Sequence, residues 1–182
     1  MSRGLVILDR DGVINRESRE FVKSAAEWQP LPGSMEAIGL LTRSGYDVCI
    51  ATNQSGLGRG LFDRRALAAM HRKLRRLAAR HGGRVVRVAI CPHRPNEGCD
   101  CRKPAPGLLL QLARRMRRDL AGVPFVGDTL RDLDAAVAAG ARPVLVLTGN
   151  GEATRRALEK SGRRVDTYPD LLAFARHLAG TR

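Results

Sequence analysis

Aromatic side chains are scarce in this chain: one Trp, two Tyr and four Phe among 182 residues. So few rings leave little with which to stack bases, which weighs against a single-stranded nucleic-acid module. No apolar run approaches the roughly 20 residues that a membrane span requires, so no membrane partner is expected. Lysine is rarer still for a chain of formal charge +14. Lys23, Lys73, Lys103 and Lys160 are the only ones, and the remaining 28 of 32 basic residues are arginine. Such a skew follows genomic base composition as readily as function, and the arginines are scattered over several helical stretches. A positive field that draws in small anionic substrates is the reading it supports, with no nucleic acid expected. Repeats, low-complexity tracts and linkers are missing too. The expectation is a single domain over residues 1–182, long enough to bury a core. Met1-Ser2-Arg3-Gly4 leads straight into the first apolar run and leaves no room for a secretion signal, so a cytoplasmic location is the default. Nothing in the sequence requires more than a monomer.

Cysteine is sparse and unevenly spread. Cys49 lies in the apolar run Val48-Cys49-Ile50-Ala51 and reads as a small buried hydrophobe. Cys91, Cys99 and Cys101 crowd into one loop. An odd trio in a chain without a secretion signal argues against a disulfide framework and for metal.

What is present alternates short apolar runs with amphipathic stretches, the pattern of a parallel sheet with helical crossovers. Leu5-Val6-Ile7-Leu8 is the first strand, and four further strands are expected at 46–51, 85–90, 123–126 and 143–147. Helices are expected from Ser34 to Gly45, from Asp63 as N-cap to Gly82, from Pro104–Gly107 onward, at about 133–140, and at 153–160 and 171–178. Residues 15–30 are polar and irregular, with Phe21 and Trp28 placed to pack a flap over the sheet edge. Thr52 to Gly56 is read as a loop. The fold class is α/β, a doubly wound, Rossmann-like parallel sheet with helices on both faces.

Chemistry gathers where these strands end. The first strand runs into Asp9-Arg10-Asp11-Gly12, two carboxylates one residue apart before a turn. Charges there are costly unless a metal or substrate compensates them, although a plain Asp-Gly turn would look similar. Thr52 and Asn53 end the second strand and Asp128 follows the fourth, with Asp132 four residues later. Parallel strands bring such ends to one edge, where ligands of open α/β folds bind. Asp128 and Asp132 taken alone could merely complement a helix dipole. Together with Asp9 and Asp11 they form a group that would repel itself without a hard cation, and oxygen ligands with few protein anchors suit Mg²⁺. Lys103, before a helix in Cys101-Arg102-Lys103-Pro104, would neutralise a nucleophile and hold a phosphoryl oxygen.

Asp9-Arg10-Asp11-Gly12-Val13, Thr52-Asn53-Gln54-Ser55-Gly56, Lys103-Pro104 and Gly127-Asp128-Thr129-Leu130-Arg131-Asp132 resemble, in order, the four motifs of the haloacid dehalogenase (HAD) superfamily. Within it, Asp9 to Asn15, Arg59-Gly60 and Cys91-Pro92-His93 leading to Cys99-Asp100-Cys101-Arg102-Lys103-Pro104 resemble the D-glycero-D-manno-heptose 1,7-bisphosphate 7-phosphatases. The resemblance implies a HAD-type phosphatase with a minimal cap that removes the 7-phosphate of a small phosphorylated sugar, in nucleotide-activated heptose biosynthesis. It implies Asp9 as nucleophile, Asp11 as general acid and base, and Thr52, Asn53 and Lys103 on the phosphoryl oxygens. Gln54, Ser55, Arg102 and Thr129 would meet the substrate. Catalytic Mg²⁺ would be held by Asp9, the Asp11 backbone carbonyl and Asp128, with Asp132 behind them. Cys91, His93, Cys99 and Cys101, within the loop 91–104, would bind structural Zn²⁺: three sulfurs and one nitrogen suit a tetrahedral site. The segment Arg16 to Phe21 departs from the family pattern, and Thr129 stands where some members have lysine. Histidinol-phosphate phosphatase, which shares both motif sets, is the nearest alternative; a basic nucleic-acid module is the alternative of another class.

Overall fold

The computed structural model describes residues 4–18 and 20–180. Met1–Arg3, read above as the lead-in to the first strand, and Arg19 of the flap lie outside these residues. Six parallel strands form one sheet in the order β3-β2-β1-β4-β5-β6. They are β1 (Gly4–Leu8), β2 (Tyr46–Asn53), β3 (Val85–Cys91), β4 (Pro124–Gly127), β5 (Arg142–Val146) and β6 (Asp166–Tyr168). The helices are α1 (Ser34–Arg43), α2 (Ser55–Gly58), α3 (Arg64–Arg80), α4 (Gly107–Met116), α5 (Leu130–Ala138), α6 (Gly151–Ser161) and α7 (Leu171–Gly180).

The strand composition explains the layering. A strand buried on both faces must be apolar at every position, because successive side chains point to opposite sides. In β1, Val6 and Leu8 face the core shared with α1, α3 and α7, while Leu5 and Ile7 face the core under α4 and α5. β2 repeats this with Val48 and Ile50 against Cys49 and Ala51. Each such side chain taken out of water contributes roughly 1.5–3 kcal/mol. Burial also pushes the Cys49 thiol up to about 11, so it packs as a neutral group, as expected.

Several boundaries differ from the sequence expectation. β6 was not expected: it has three residues at the sheet edge, largely exposed, and carries no apolar run to announce it. β2 continues through Thr52 and Asn53 because both pair with β3, and the supposed loop after Gln54 folds into the one-turn α2. α5 starts at Leu130, not near Leu133, because Thr129 and Asp132 make a capping box. Asp63 caps α3 as expected, accepting from the Ala66 N–H at 2.7 Å. Trp28 lies fully buried within the core, anchoring the irregular segment, while Phe21 is half-buried.

In this order the chain reverses direction between β1 and β4. The connections that leave their carboxyl ends, towards α1 and α5, therefore run to opposite faces of the sheet and leave a crevice between them, the place where doubly wound sheets bind ligands. The long excursions at 9–33 and 92–106 leave from that same edge and wall the crevice.

Candidate active site

A cleft of about 330 Å³ opens at the β1/β4 edge, and Asp9, Asp11, Lys103 and Asp128 are among its lining residues. Asp9 leaves β1 with its Oδ1 accepting from the Arg10 N–H at 2.7 Å and from Lys103 Nζ at 2.7 Å. No hydrogen bond among the described residues engages Asp9 Oδ2. Lys103 Nζ also pairs with Asp132 Oδ1 at 2.6 Å and donates to the Ala51 carbonyl at 3.1 Å, so three donors meet three acceptors. Burial alone would lower the lysine pKa, but Asp132 and Asp9 overcome it and keep the ammonium charged.

Asp128 follows β4 directly and is buried. Its Oδ2 accepts from the Asn150 N–H at 2.8 Å. A Cβ at Gly12 or at Gly149 would run into this carboxylate, and both glycines have positive φ, 82° and 59°. The two turns therefore close on Asp128 only because they lack side chains. The Asn150 side-chain amide reaches Glu17 as well, tying the irregular segment to this turn.

Carboxylate oxygens of Asp9, Asp128 and Asp132 all lie within 4.8 Å of one another. Three buried carboxylates face one lysine, and the imbalance shows in their proton affinities. Burial, then the like charges of Asp132 and Asp128, drive the Asp9 carboxyl well above its ordinary value against the pull of Lys103. Burial and Asp132 push Asp128 up to about 7. An oxygen-only donor set short of positive charge fits Mg²⁺. Asp132 spends Oδ1 on Lys103 and Oδ2 on the Thr129 N–H and hydroxyl, at 3.0 and 2.6 Å. Asp9 and Asp128 are left to reach a cation directly.

Asp11 turns the other way. Its carboxylate accepts from Arg10 Nε at 3.2 Å and Nη2 at 2.9 and 3.0 Å, from Asn15 at 2.8 Å and from Gln54 at 2.8 Å. Burial would raise its pKa, but the Arg10 charge and these hydrogen bonds more than offset it and hold Asp11 below its ordinary value.

Three residues expected at the substrate, Asn53, Gln54 and Thr129, line the cleft and also hydrogen-bond within the protein. Asn53 grips the Lys103 peptide, accepting from its N–H at 3.1 Å and donating to its carbonyl at 3.2 Å. The Gln54 amide is taken up by Asp11, Thr52 and Arg10. The Thr129 hydroxyl serves the α5 cap, although the residue borders the cleft. Ser55 and Arg102 line the cleft as well, whereas Thr52, fully buried near the end of β2, is not among its lining residues. The sequence reading missed Arg10, Asn15, Glu17 and Asn150. It also gave no role of its own to Arg131, which with Arg59, named above only as a mark of the family, adds a cation to the cleft wall. A charged residue between the two aspartates was the available signal for Arg10.

Beyond the cleft wall, ligand atoms of Cys91, His93, Cys99 and Cys101 also fall within 4.8 Å of one another. Cys91 Sγ is 3.7 Å from Cys99 Sγ and 3.6 Å from His93 Nδ1; Cys101 Sγ is 3.6 Å from Cys99 Sγ and 3.2 Å from the same nitrogen. A tetrahedron with zinc–sulfur bonds of 2.3 Å has edges of about 3.8 Å, so the cluster can hold zinc with little adjustment. Local electrostatics are uneven. Against the effect of burial, backbone N–H groups of Arg102 and Cys101 and the neighbouring thiols bring Cys99 down to about 7. Burial and those thiols push Cys101 up to about 12. The loop docks on α2 through Gly58 N–H to the Pro92 carbonyl at 3.1 Å and Arg94 Nε to the Gly58 carbonyl at 2.8 Å.

Comparison with known proteins agrees with this geometry. Residues 100–174 match a family model described as HAD-hydrolase-like. A D-glycero-beta-D-manno-heptose-1,7-bisphosphate 7-phosphatase of Pseudomonas putida is 51% identical over 175 residues, covering 96% of this chain and 98% of the relative. That of Bordetella bronchiseptica is 53% identical over 176 residues, covering 96% and 97%. The chain belongs to this phosphatase family of the HAD superfamily. The B. bronchiseptica crystal structure, a D,D-heptose 1,7-bisphosphate phosphatase complexed with magnesium and phosphate, superposes with a TM-score of 0.93 at 51% identity. It covers 98% of this chain and 99% of its own.

Proposed function

We propose that this protein is a magnesium-dependent phosphatase that removes the 7-phosphate from D-glycero-D-manno-heptose 1,7-bisphosphate, a step towards nucleotide-activated heptose. The observation that carries the reading is Asp9, with one oxygen held by Lys103 and Arg10 N–H and the other free on the cleft, in a chain more than half identical to such an enzyme. The relatives' names specify the beta anomer, which supports the β-bisphosphate as substrate. They also favour the heptose over histidinol phosphate.

Asp9 Oδ2 is assigned the attack on phosphorus, forming an O–P bond as the bond from phosphorus to the C7 oxygen breaks. The departing oxygen takes a proton from Asp11. Water then returns a proton to Asp11 and attacks the aspartyl-phosphate, releasing phosphate and restoring Asp9. The low proton affinity of Asp11 suits its second task. For the first, a substrate phosphate brought beside it would raise that affinity by like-charge repulsion. Lys103 offsets charge on the transferring oxygens, and Thr52, whose hydroxyl accepts from Gln54, keeps its own proton to donate. Asp9, Asp128 and the Asp11 carbonyl would hold Mg²⁺, which when bound draws charge from the phosphoryl oxygens. Arg102 and Ser55 are assigned to the sugar end, Asn53 to holding Lys103, and Thr129 to ordering Asp132.

The one sheet supports a single catalytic domain over residues 1–182. A monomer acting without nucleic acid suffices for this chemistry. No helix among the described residues is long and apolar enough to cross a membrane. A cluster of reduced thiols supports a cytoplasmic setting.

The test is a turnover comparison of both heptose 1,7-bisphosphate anomers with histidinol phosphate. The β-anomer should lead by roughly tenfold or more in kcat/KM. Histidinol phosphate leading by that margin would overturn the assignment.

A further inference from the structure

Arg10 lies between the two aspartates and is 1% exposed. Adjacent residues of an extended chain point to opposite sides. Here the bend at Arg10 brings its guanidinium onto the carboxylate of its own neighbour, Asp11. Nε and Nη2 reach Asp11 Oδ1, Nη2 also reaches Oδ2 at 3.0 Å, and the same Nη2 donates to Gln54 Oε1 at 3.1 Å. Gln54 closes the ring by donating to Asp11 Oδ2, and Asn15 donates to Oδ1. Both oxygens are thereby fixed by three side chains. A buried ion pair is a poor way to gain stability, since apolar residues of similar volume serve as well or better. This one is dearer than most, because Arg10 Nη1 is buried without a hydrogen-bond partner. Burial and then the Arg10 charge bring the pKa of His71 down to about 4, so no second cation is added beside the guanidinium. An arrangement that costs stability, built around one catalytic carboxylate, has its use in the orientation of that carboxylate.

We infer that Arg10 is a positioning residue, which together with Gln54 clamps Asp11 in the orientation from which it protonates the leaving oxygen. The inference rests on the phosphatase reading above and deepens it. It also reassigns Gln54 from the substrate to the clamp. Loss of the clamp should be felt in proportion to how much the leaving group needs a proton. A sugar alkoxide needs one and p-nitrophenolate does not. A merely structural Arg10 would lower both reactions by the same factor.

The experiment measures first-turnover rates of Arg10→Met and Gln54→Met by rapid quench for the heptose bisphosphate and by the phenolate burst for p-nitrophenyl phosphate. The burst reports transfer to Asp9 before the aspartyl-phosphate is hydrolysed, so the later role of Asp11 does not enter. General acids contribute about 10²–10⁴-fold, so the ratio of alkyl to aryl rates in Arg10→Met should fall at least about tenfold. Gln54→Met should fall in the same direction by roughly threefold, since it removes one of five contacts. Arg10→Lys, a point charge without the planar fork, should recover only part of the ratio. An unchanged ratio in folded Arg10→Met overturns the inference. If that variant does not fold, an unchanged ratio in Gln54→Met overturns it instead. Should the wild type leave heptose bisphosphate untouched, the substrate assignment fails by itself. The ratio is then measured with another primary alkyl phosphate that the wild type hydrolyses.

Discussion

The carboxylate cleft and the thiol loop are two metal-ligand clusters built on opposite terms. The cleft collects Asp9, Asp128 and Asp132 from the ends of two adjacent strands and a helix, all buried, with glycines cleared around them. The loop draws its four ligands from residues 91–101, the last residue of the edge strand β3 and the stretch after it, and three of them are partly exposed. In the cleft the fold concentrates charge first, and a cation relieves a strain that the apolar sheet already sustains. In the loop no regular structure surrounds His93, Cys99 or Cys101, so a metal bound there would itself supply the order. One cluster thus spends stability on chemistry, and the other converts binding into structure.

The largest effect should come from Asp9→Asn, which on the proposed mechanism replaces the attacking carboxylate. Phosphatase turnover is expected to fall by roughly 10⁴-fold or more. The melting temperature should hold or rise, because one of three crowded carboxylates is gone. Substantial turnover in that variant would sink the covalent mechanism.

Cys99→Ser probes the other cluster and should behave in the reverse way. The wild type is expected to carry about one zinc per chain by metal analysis, and the variant less. Its melting temperature should drop and its turnover fall by about 10–100-fold, because the loop ends on Arg102 and Lys103. Wild-type enzyme fully active without zinc would break the comparison.

The smallest effect separates the clusters by pH. Asp128, raised from 3.8 to about 7, binds more protons folded than unfolded across that interval. In magnesium-free protein its contribution to stability is therefore present below 3.8 and lost as pH rises through about 7. Magnesium requires the deprotonated form, so its addition should raise the melting temperature more at about pH 8 than at about pH 5.5. A shift of equal size at both would show that Asp128 is not titrating with the metal.

Much of this was legible in residue order. The apolar run before Asp9 has the length and branching of a strand buried on both faces. Polar groups at three strand ends are brought to one edge by any parallel sheet. The tight Cys-x-His and Cys-x-Cys spacing, with the trio's odd count, pointed to metal without a structure. β6 escaped because an exposed edge strand needs no hydrophobic signature. Asn53, Gln54 and Thr129 were read as substrate contacts, and the hydrogen bonds they also make within the protein could not be read from residue order.

The sequence by itself determined the sheet, the edge that bears the site and the residue types of both clusters, since periodicity and local chemistry are properties of neighbours along the chain. Only the tertiary structure decided which polar group answers which. Gln54 meets Asp11 from 43 residues away and Asn53 meets the Lys103 peptide from 50. Such pairings depend on the register of β2 beside β1 and on where the loop before α4 docks, and no local pattern encodes either.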